Sequence, residues 1–162
     1  MIKNLIPAEI KALLDGTIHD EIYASHLYRY LANQMQKLGL FGAQKFFMEE
    51  SASEMEHYQL HVDFQNDQGA MAGVPAIQAM KDEVSGLEDA LALAYETELD
   101  LLMTYQSVYG KCASSPVVQQ FLLQFIEIQR KSVGEYADLI ARCNIAEGDK
   151  CALLIIDKEM GA

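Results

Sequence analysis

The chain has 162 residues, three cysteines and a formal net charge of −12 at pH 7. Its length suits one domain, taken as residues 1–162, and its acidic balance argues against nucleic acid, because phosphate binding needs a basic surface. The cysteines lack CxxC spacing, which argues against a disulfide framework or a zinc knuckle, and no apolar run approaches the roughly 20 residues of a membrane span. We therefore expect a soluble cytoplasmic protein without membrane contact, for which cations are the natural small partners.

The first predicted helix runs from about residue 7 to 38. Residues spaced three or four apart along a helix form a stripe that should face the core. In this helix the side chains of the stripe are small or apolar apart from one acid and one tyrosine. Its members are Leu14, Ile18, Glu21, Ser25, Tyr28, Ala32 and Met35. Glu21 is therefore a candidate metal ligand.

The second predicted helix, from about residue 41 to 67, carries four metal-capable side chains on a stripe that begins and ends apolar. The stripe consists of Ala43, Phe47, Glu50, Glu54, His57, His61 and Phe64. Burying unpaired carboxylates costs several kcal/mol each, so a cation is the expected neutraliser. The Glu-x-x-His step from Glu54 to His57 sets the two side chains about 5 to 6 Å apart at Cβ, close enough to hold one ion jointly.

Two other residues of this stripe keep more than one interpretation. His61 could be an extra ligand, a group that supports a ligand, or a partner for a neighbouring acid, and we favour the supporting role. Glu50 could hold a neighbouring ion or simply face an internal surface.

The segment DQGAMAGVPAIQAM follows the second helix and is long enough to cross the length of a bundle. The third predicted helix then runs from about residue 81 to 113. Its best stripe consists of Leu87, Leu91, Ala94, Glu98, Leu101, Tyr105 and Val108. Glu96 lies on a more polar stripe, so we prefer Glu98 as the ligand, although a shift of two residues would exchange them.

The fourth predicted helix runs from about residue 116 to 143 and has one amide, Gln129, at the middle of its stripe. The stripe consists of Val118, Leu122, Phe125, Gln129, Ser132, Tyr136 and Leu139. Glu127 points roughly 160° away from this stripe in a regular helix. A short amphipathic helix is predicted at about residues 149–159, and its ALLII run needs a partner such as the same segment of neighbouring subunits.

The links between helices predict the architecture. The short links GLFG and ASSP make two antiparallel hairpins, and one long crossover joins them. We therefore predict an all-α fold, a ferritin-like four-helix bundle with one long crossover and a short fifth C-terminal helix. Antiparallel packing brings the mid-helix polar residues to a common depth, while Tyr28, Tyr105 and Tyr136 are interpreted as core aromatics whose hydroxyls find a partner.

At this point the chain resembles the ferritins, particularly the non-haem bacterial kind. The resemblance covers nearly the whole length and rests on Glu21 and Tyr28 seven residues apart and on the segments EESASEMEH, ALALAYETE and FLLQFIEIQ. The long crossover and the terminal GDKCALLIIDKEM add to it.

The resemblance implies a diiron ferroxidase centre within each subunit, with two iron ions per chain. Its ligands would be Glu21, Glu54, His57 and Glu98. By the same resemblance Glu54 bridges the two ions, Gln129 stands near the second, and Tyr28 lies beside the centre. Glu50 is similar to the acid of an adjacent third iron site.

The chain also departs from relatives of this kind. Bacterioferritins carry a second Glu-x-x-His on the fourth helix, whereas here Arg130 follows Glu127 by three residues. Met55 stands where such relatives have a haem-ligating methionine, yet haem-free ferritins are similar at this point, so haem is not expected. Ser132 occupies a position where many bacterial ferritins have an acid, which leaves the third iron site open.

The implied function is oxidation of Fe²⁺ by O2 or H2O2 and storage of ferric oxide inside a hollow homo-oligomeric shell of 24 subunits. A rubrerythrin-like diiron oxidase or peroxidase without mineral storage is the first alternative. It is disfavoured because the chain lacks a CxxC module and has one Glu-x-x-His instead of two. A structural shell subunit with an inactive centre is the second alternative, and it is disfavoured because the ligands are present.

Overall fold

The computed structural model describes residues 3–162, which form five helices and no strand. The helices are α1 (Ala8–Leu38), α2 (Phe41–Asp67), α3 (Leu87–Lys111), α4 (Pro116–Ala146) and α5 (Lys150–Met160). Helices α1 and α2 pack along each other, as do α3 and α4, and α1 also packs against α3. The predicted all-α bundle with a long crossover and a short fifth helix is confirmed. None of these helices is long and apolar enough to cross a membrane.

The turn between α1 and α2 is closed by backbone hydrogen bonds. Gly39 follows α1 with a φ of 80°, a left-handed conformation that glycine adopts without steric cost. The N–H of Leu40 donates to the carbonyl of Met35 at 2.9 Å, and the N–H of Gly39 donates to that of Gln36 at 3.1 Å. These bonds satisfy carbonyls at the helix end and reverse the chain.

Helix α3 begins at Leu87, six residues later than the predicted start at 81. The side chain of Gln34 on α1 explains the difference, because it donates to the carbonyl of Asp82 at 3.0 Å and accepts from the N–H of Val84 at 3.0 Å. The backbone of this segment is therefore bonded across the bundle instead of within a helical turn. Helix α4 extends to Ala146, three residues beyond the predicted end, and Glu147 follows in a left-handed conformation with a φ of 48°.

Helix α5 caps the start of α2. No residue at the N-terminus of α2 supplies a side-chain cap, but a carboxylate oxygen of Asp157 accepts from the N–H of Ala43 at 2.7 Å. Gly42 makes the approach possible, since a Cβ there would lie 1.7 Å from the carbonyl oxygen of Asp157. The fifth helix is therefore seated by a polar contact as well as by buried Ile156.

The predicted stripes face the bundle interior. Every stripe residue of α1 and of α3 is buried, and the stripes of α2 and α4 are buried or partly buried. The helical repeat of 3.6 residues thus directs the apolar side chains of each helix towards the same core, and these side chains lie near both ends of the helix. The polar members of the stripes lie between them, at the middle of the bundle.

Candidate metal centre

Each of the four long helices brings one buried polar side chain to the middle of the bundle. Glu21 of α1, Glu54 of α2, Glu98 of α3 and Gln129 of α4 are all buried, at most 3% exposed. His57 lies one turn after Glu54, and its side chain is 12% exposed. Packing that buries the apolar ends of the helices therefore also forces these polar groups together.

Glu21, Glu54 and His57 form the tightest group. Their ligand atoms lie within 4.8 Å of one another, and among residues 3–162 no other three His, Cys, Asp or Glu residues meet this condition. Nδ1 of His57 is 2.9 Å from Oε2 of Glu54 and 3.4 Å from Oε2 of Glu21. One ion could therefore contact all three side chains with little movement.

Several buried polar atoms in the middle of the bundle have no hydrogen-bond partner. The hydroxyl of Tyr28 donates to Oε1 of Glu98, and that of Tyr105 donates to Oε1 of Glu21. The other carboxylate oxygens of Glu21 and Glu98 are buried without a hydrogen bond, as are both amide atoms of Gln129. Leaving a buried polar atom unpaired costs about 1–3 kcal/mol, more for a charged group. Bound cations would satisfy these oxygens, so the residues fit a metal site.

Burial and mutual contacts shift the pKa of every ionisable group at the centre. Burial and the neighbouring Glu21 raise the pKa of Glu54 well above its usual value, and burial raises that of Glu98 to about 8. Although burial opposes it, contacts with Glu54 and His57 lower the pKa of Glu21. Burial likewise opposes the charge on His57, but contacts with the carboxylates of Glu21 and Glu54 raise its pKa to about 10. At neutral pH the metal-free centre therefore holds protons on His57 and Glu98, and the pKa of Glu54 is shifted in the same direction as that of Glu98.

Metal binding is expected to release these protons and to strengthen as pH rises. A ligand must be in its basic form, and a raised pKa means that at pH 7 the group still carries the proton that an ion displaces. Filling the site with redox-inert Zn²⁺ at pH 7 should release the protons of His57 and Glu98, about two per chain. Titration calorimetry in buffers of different ionisation enthalpy measures this number.

The variant His57→Ala provides the comparison for that measurement. It should release about one proton fewer than the natural chain, because the imidazolium at position 57 contributes one. His19→Ala removes an exposed imidazole and should not change the number. A binding enthalpy that is the same in every buffer would contradict the proton assignment.

The structure distinguishes the two acids of α3 and places Glu50 at the edge of this centre. Glu98 is buried whereas Glu96 is exposed, so Glu98 lies in the interior as the stripe predicted, and its role as ligand stays a prediction. Glu50 is partly buried and accepts from the hydroxyl of Tyr136 at 3.2 Å. Burial and the charge of Glu135 raise the pKa of Glu50.

Residues that distinguish the chain from relatives lie outside the group. Glu127 is exposed and paired with Arg130 at 2.8 Å, and hydrogen bonds from that guanidinium lower its pKa to about 2. Ser132 is partly buried, and the side chain of Met55 is exposed. Glu127 therefore faces away from the centre, as its position on the helix predicted.

Helical periodicity predicts Tyr105 as a core aromatic and does not connect it with Glu21. The two residues are 84 positions apart, so no local pattern joins them. One signal was present: Tyr105 follows Glu98 by seven residues, the same spacing that separates Tyr28 from Glu21.

Comparison with known proteins identifies the family of this arrangement. A family model described as a ferritin-like domain matches residues 11–146. The chain belongs to the ferritin family. A probable non-heme ferritin-like protein of Haemophilus influenzae is 24% identical over 159 residues, covering 97% of this chain and 96% of that protein. A ferritin of Pacifastacus leniusculus is 30% identical over 153 residues, and the match covers 91% of this chain and 84% of that protein.

Solved ferritin structures share the fold. The open pore ferritin of Archaeoglobus fulgidus superposes with a TM-score of 0.93 at 22% identity, and the match covers 96% of this chain and 98% of that one. The predicted resemblance to ferritins is thereby confirmed.

Proposed function

We propose that the protein is an iron-storage ferritin with ferroxidase activity. The observation that carries the proposal is the pair of buried, unpaired oxygens on Glu21 and Glu98 beside the Glu54 and His57 contact. Such oxygens lower stability unless a cation binds them. In a chain of the ferritin family, Fe²⁺ is the cation that these ligands would take as substrate.

The ligand set suits iron in both oxidation states. Carboxylate oxygens and one imidazole accept ferrous and ferric ions, and four side chains leave coordination positions for an oxidant. Two Fe²⁺ ions would lose one electron each, and O2 would take both electrons with two protons to become H2O2. H2O2 can replace O2 as the oxidant, in which case two electrons and two protons convert it to two water molecules.

The residues of the chain hold the substrate ions and move protons. Glu54 lies beside both Glu21 and His57, so these three side chains would hold one ion together, and the resemblance to ferritins implies that Glu54 would also contact the second. Glu21 and Glu98 each keep one oxygen bonded to a tyrosine and present the other to an ion. Protons displaced from His57 and Glu98 during binding would be available to the reduced oxidant. Gln129 would bring an amide oxygen near the second ion.

We further propose that copies of the chain assemble into a shell of 24 subunits that encloses the ferric product. The relatives described above are ferritins by name, and this chain spans most of their length. Leu154 and Ile155 of α5 and the nearby Ile145 are large apolar side chains that a single subunit leaves exposed. Burial against other copies would remove this apolar surface from water. The net charge of −12 would favour entry of Fe²⁺.

The proposal is tested by mixing size-fractionated metal-free protein with two Fe²⁺ per chain in aerated buffer and following near-ultraviolet absorbance by stopped flow. We expect a fast phase that saturates near two ions per chain. A large excess of Fe²⁺ should then give a soluble ferric mineral inside a particle of about 24 chains.

Two other results would point to the alternative functions. A small oligomer that consumes H2O2 with a reductant but precipitates excess iron would indicate a diiron oxidase or peroxidase. A large shell without any fast phase would indicate a structural subunit. Either result would contradict the proposed function.

A further inference from the structure

Helices α1 and α3 carry the same pair of residues at the same spacing. Tyr28 follows Glu21 by seven residues, and Tyr105 follows Glu98 by seven. Seven residues are nearly two helical turns, so the glutamate and the tyrosine of each pair lie on one face. The structure buries both faces against each other in the bundle.

The hydrogen bonds of these four residues cross between the helices. Tyr28 of α1 donates to Oε1 of Glu98 on α3, and Tyr105 of α3 donates to Oε1 of Glu21 on α1. The arrangement is reciprocal, with each carboxylate held by the tyrosine of the opposite helix. All four side chains are fully buried, so water does not compete for these bonds.

The two tyrosines differ in their further polar partner, which is a histidine of α2 for Tyr105 and Tyr136 of α4 for Tyr28. The hydroxyl oxygen of Tyr105 lies 2.8 Å from Nε2 of His61, a fully buried residue of α2. Aromatic rings fix both residues, since Phe125 stacks on Tyr105 at 5.1 Å and lies 4.5 Å from the ring of His61. Tyr28 instead stacks against Phe47 at 6.1 Å.

The donors and acceptors give this chain of bonds a direction. Tyr105 has one proton and donates it to Glu21, so its oxygen must accept from the Nε2–H of His61. Burial lowers the pKa of His61 to about 4, which keeps the ring neutral with a single N–H to give. That proton is committed to Tyr105, and the Tyr105 proton is committed to Glu21.

We propose that Tyr105, oriented by His61, is a positioning residue that restricts Glu21 to metal binding through one oxygen. Oε1 of Glu21 is occupied by the tyrosine, and Oε2 is buried, makes no hydrogen bond and lies 3.4 Å from Nδ1 of His57. Without the tyrosine the carboxylate would be free to turn or to bind an ion through both oxygens. The inference rests on the proposed function and adds Tyr105 and His61 to the residues that shape the site.

The proposal is tested with Co²⁺, whose visible absorption reports ligand geometry without any oxidation of iron. Tyr105→Phe removes one hydroxyl and keeps the ring that stacks on Phe125. We expect the variant to bind one of two Co²⁺ ions about tenfold more weakly and with a changed visible band, because partners that orient a metal ligand are typically worth ten- to a hundredfold in affinity. Tyr109→Phe, a partly buried tyrosine one turn further along α3, is the matched control and should leave both unchanged.

Variants of His61 test whether it acts through Tyr105. His61→Leu should weaken Co²⁺ binding in the same direction, whereas His61→Gln, which keeps an N–H donor, should retain more of the affinity. The double variant with Tyr105→Phe should be no weaker than Tyr105→Phe alone, because residues that act in one chain of contacts are not additive. If Tyr105→Phe fails to fold, the comparison of His61→Leu with His61→Gln decides the question.

The outcomes separate this inference from the proposed function. Folded Tyr105→Phe protein with an unchanged Co²⁺ spectrum and affinity would overturn the positioning role, as would equal binding by the two His61 variants. If Tyr105→Phe alters Co²⁺ binding but the natural chain does not oxidise Fe²⁺, the ferroxidase proposal is overturned and the positioning role is supported. A natural chain that binds no Co²⁺ at the centre would overturn both.

Discussion

Glu54→Ala and His57→Ala are each expected to slow the rapid oxidation of Fe²⁺ by at least tenfold while leaving a folded shell. Glu54 and His57 are in direct contact at 2.9 Å and together approach Glu21, so removing either opens the tightest ligand group in the bundle. A tenfold loss corresponds to about 1.4 kcal/mol of transition-state stabilisation. The initial rate after mixing with two Fe²⁺ per chain measures the effect.

Glu56→Ala is the matched control for these variants. Glu56 belongs to the same helix and has the same carboxylate, but it is exposed and lies outside the ligand group. Its removal should leave the fast phase unchanged. Unchanged initial rates in Glu54→Ala and His57→Ala would refute the site assignment, and an equal loss in Glu56→Ala would mean that the rate reflects overall charge.

Periodicity explains why so much of the bundle could be predicted from the sequence. Long amphipathic helices with one apolar stripe have few ways to bury it, and the short links fix which helices are neighbours. Glu21 and Glu98 were placed in the interior by their stripes, and the structure buries both completely. The match of helix α2 to the predicted residues 41–67 follows from the same pattern.

Contacts between distant residues could not be predicted in this way. The start of α3 depends on the Gln34 side chain, which bonds the backbone 48 and 50 residues away. The seating of α5 depends on Asp157 meeting the N–H of Ala43, 114 residues earlier. A helical stripe predicts that a residue is buried but not which residue it contacts, so the burial of Tyr105 is predictable from the sequence and its bond to Glu21 is not.

Glu98→Ala is expected to slow Fe²⁺ oxidation more than Glu96→Ala, and the latter should stay close to the natural rate. The two acids are two residues apart on α3 and differ in environment, since Glu98 is buried and bonded to Tyr28 while Glu96 is exposed. We expect at least a tenfold loss for Glu98→Ala, again about 1.4 kcal/mol or more. Stopped-flow initial rates on both single variants measure the difference, and a larger loss at Glu96 would mean that α3 presents the other acid to iron.

The effect of burial on the pKa of Glu98 gives the reason for this expectation. Burial raises its pKa to about 8, so the folded chain holds its carboxyl group in an environment that disfavours the charged form. The free energy of unfolding of the metal-free protein should therefore fall as pH rises from 4.5, the ordinary pKa of a glutamate, towards 8. Glu96 is exposed, so its carboxylate is not removed from water in this way. A bound cation reverses the balance by favouring the carboxylate. Filling the site therefore compensates the burial of the Glu98 carboxylate, whereas exposed Glu96 needs no such compensation.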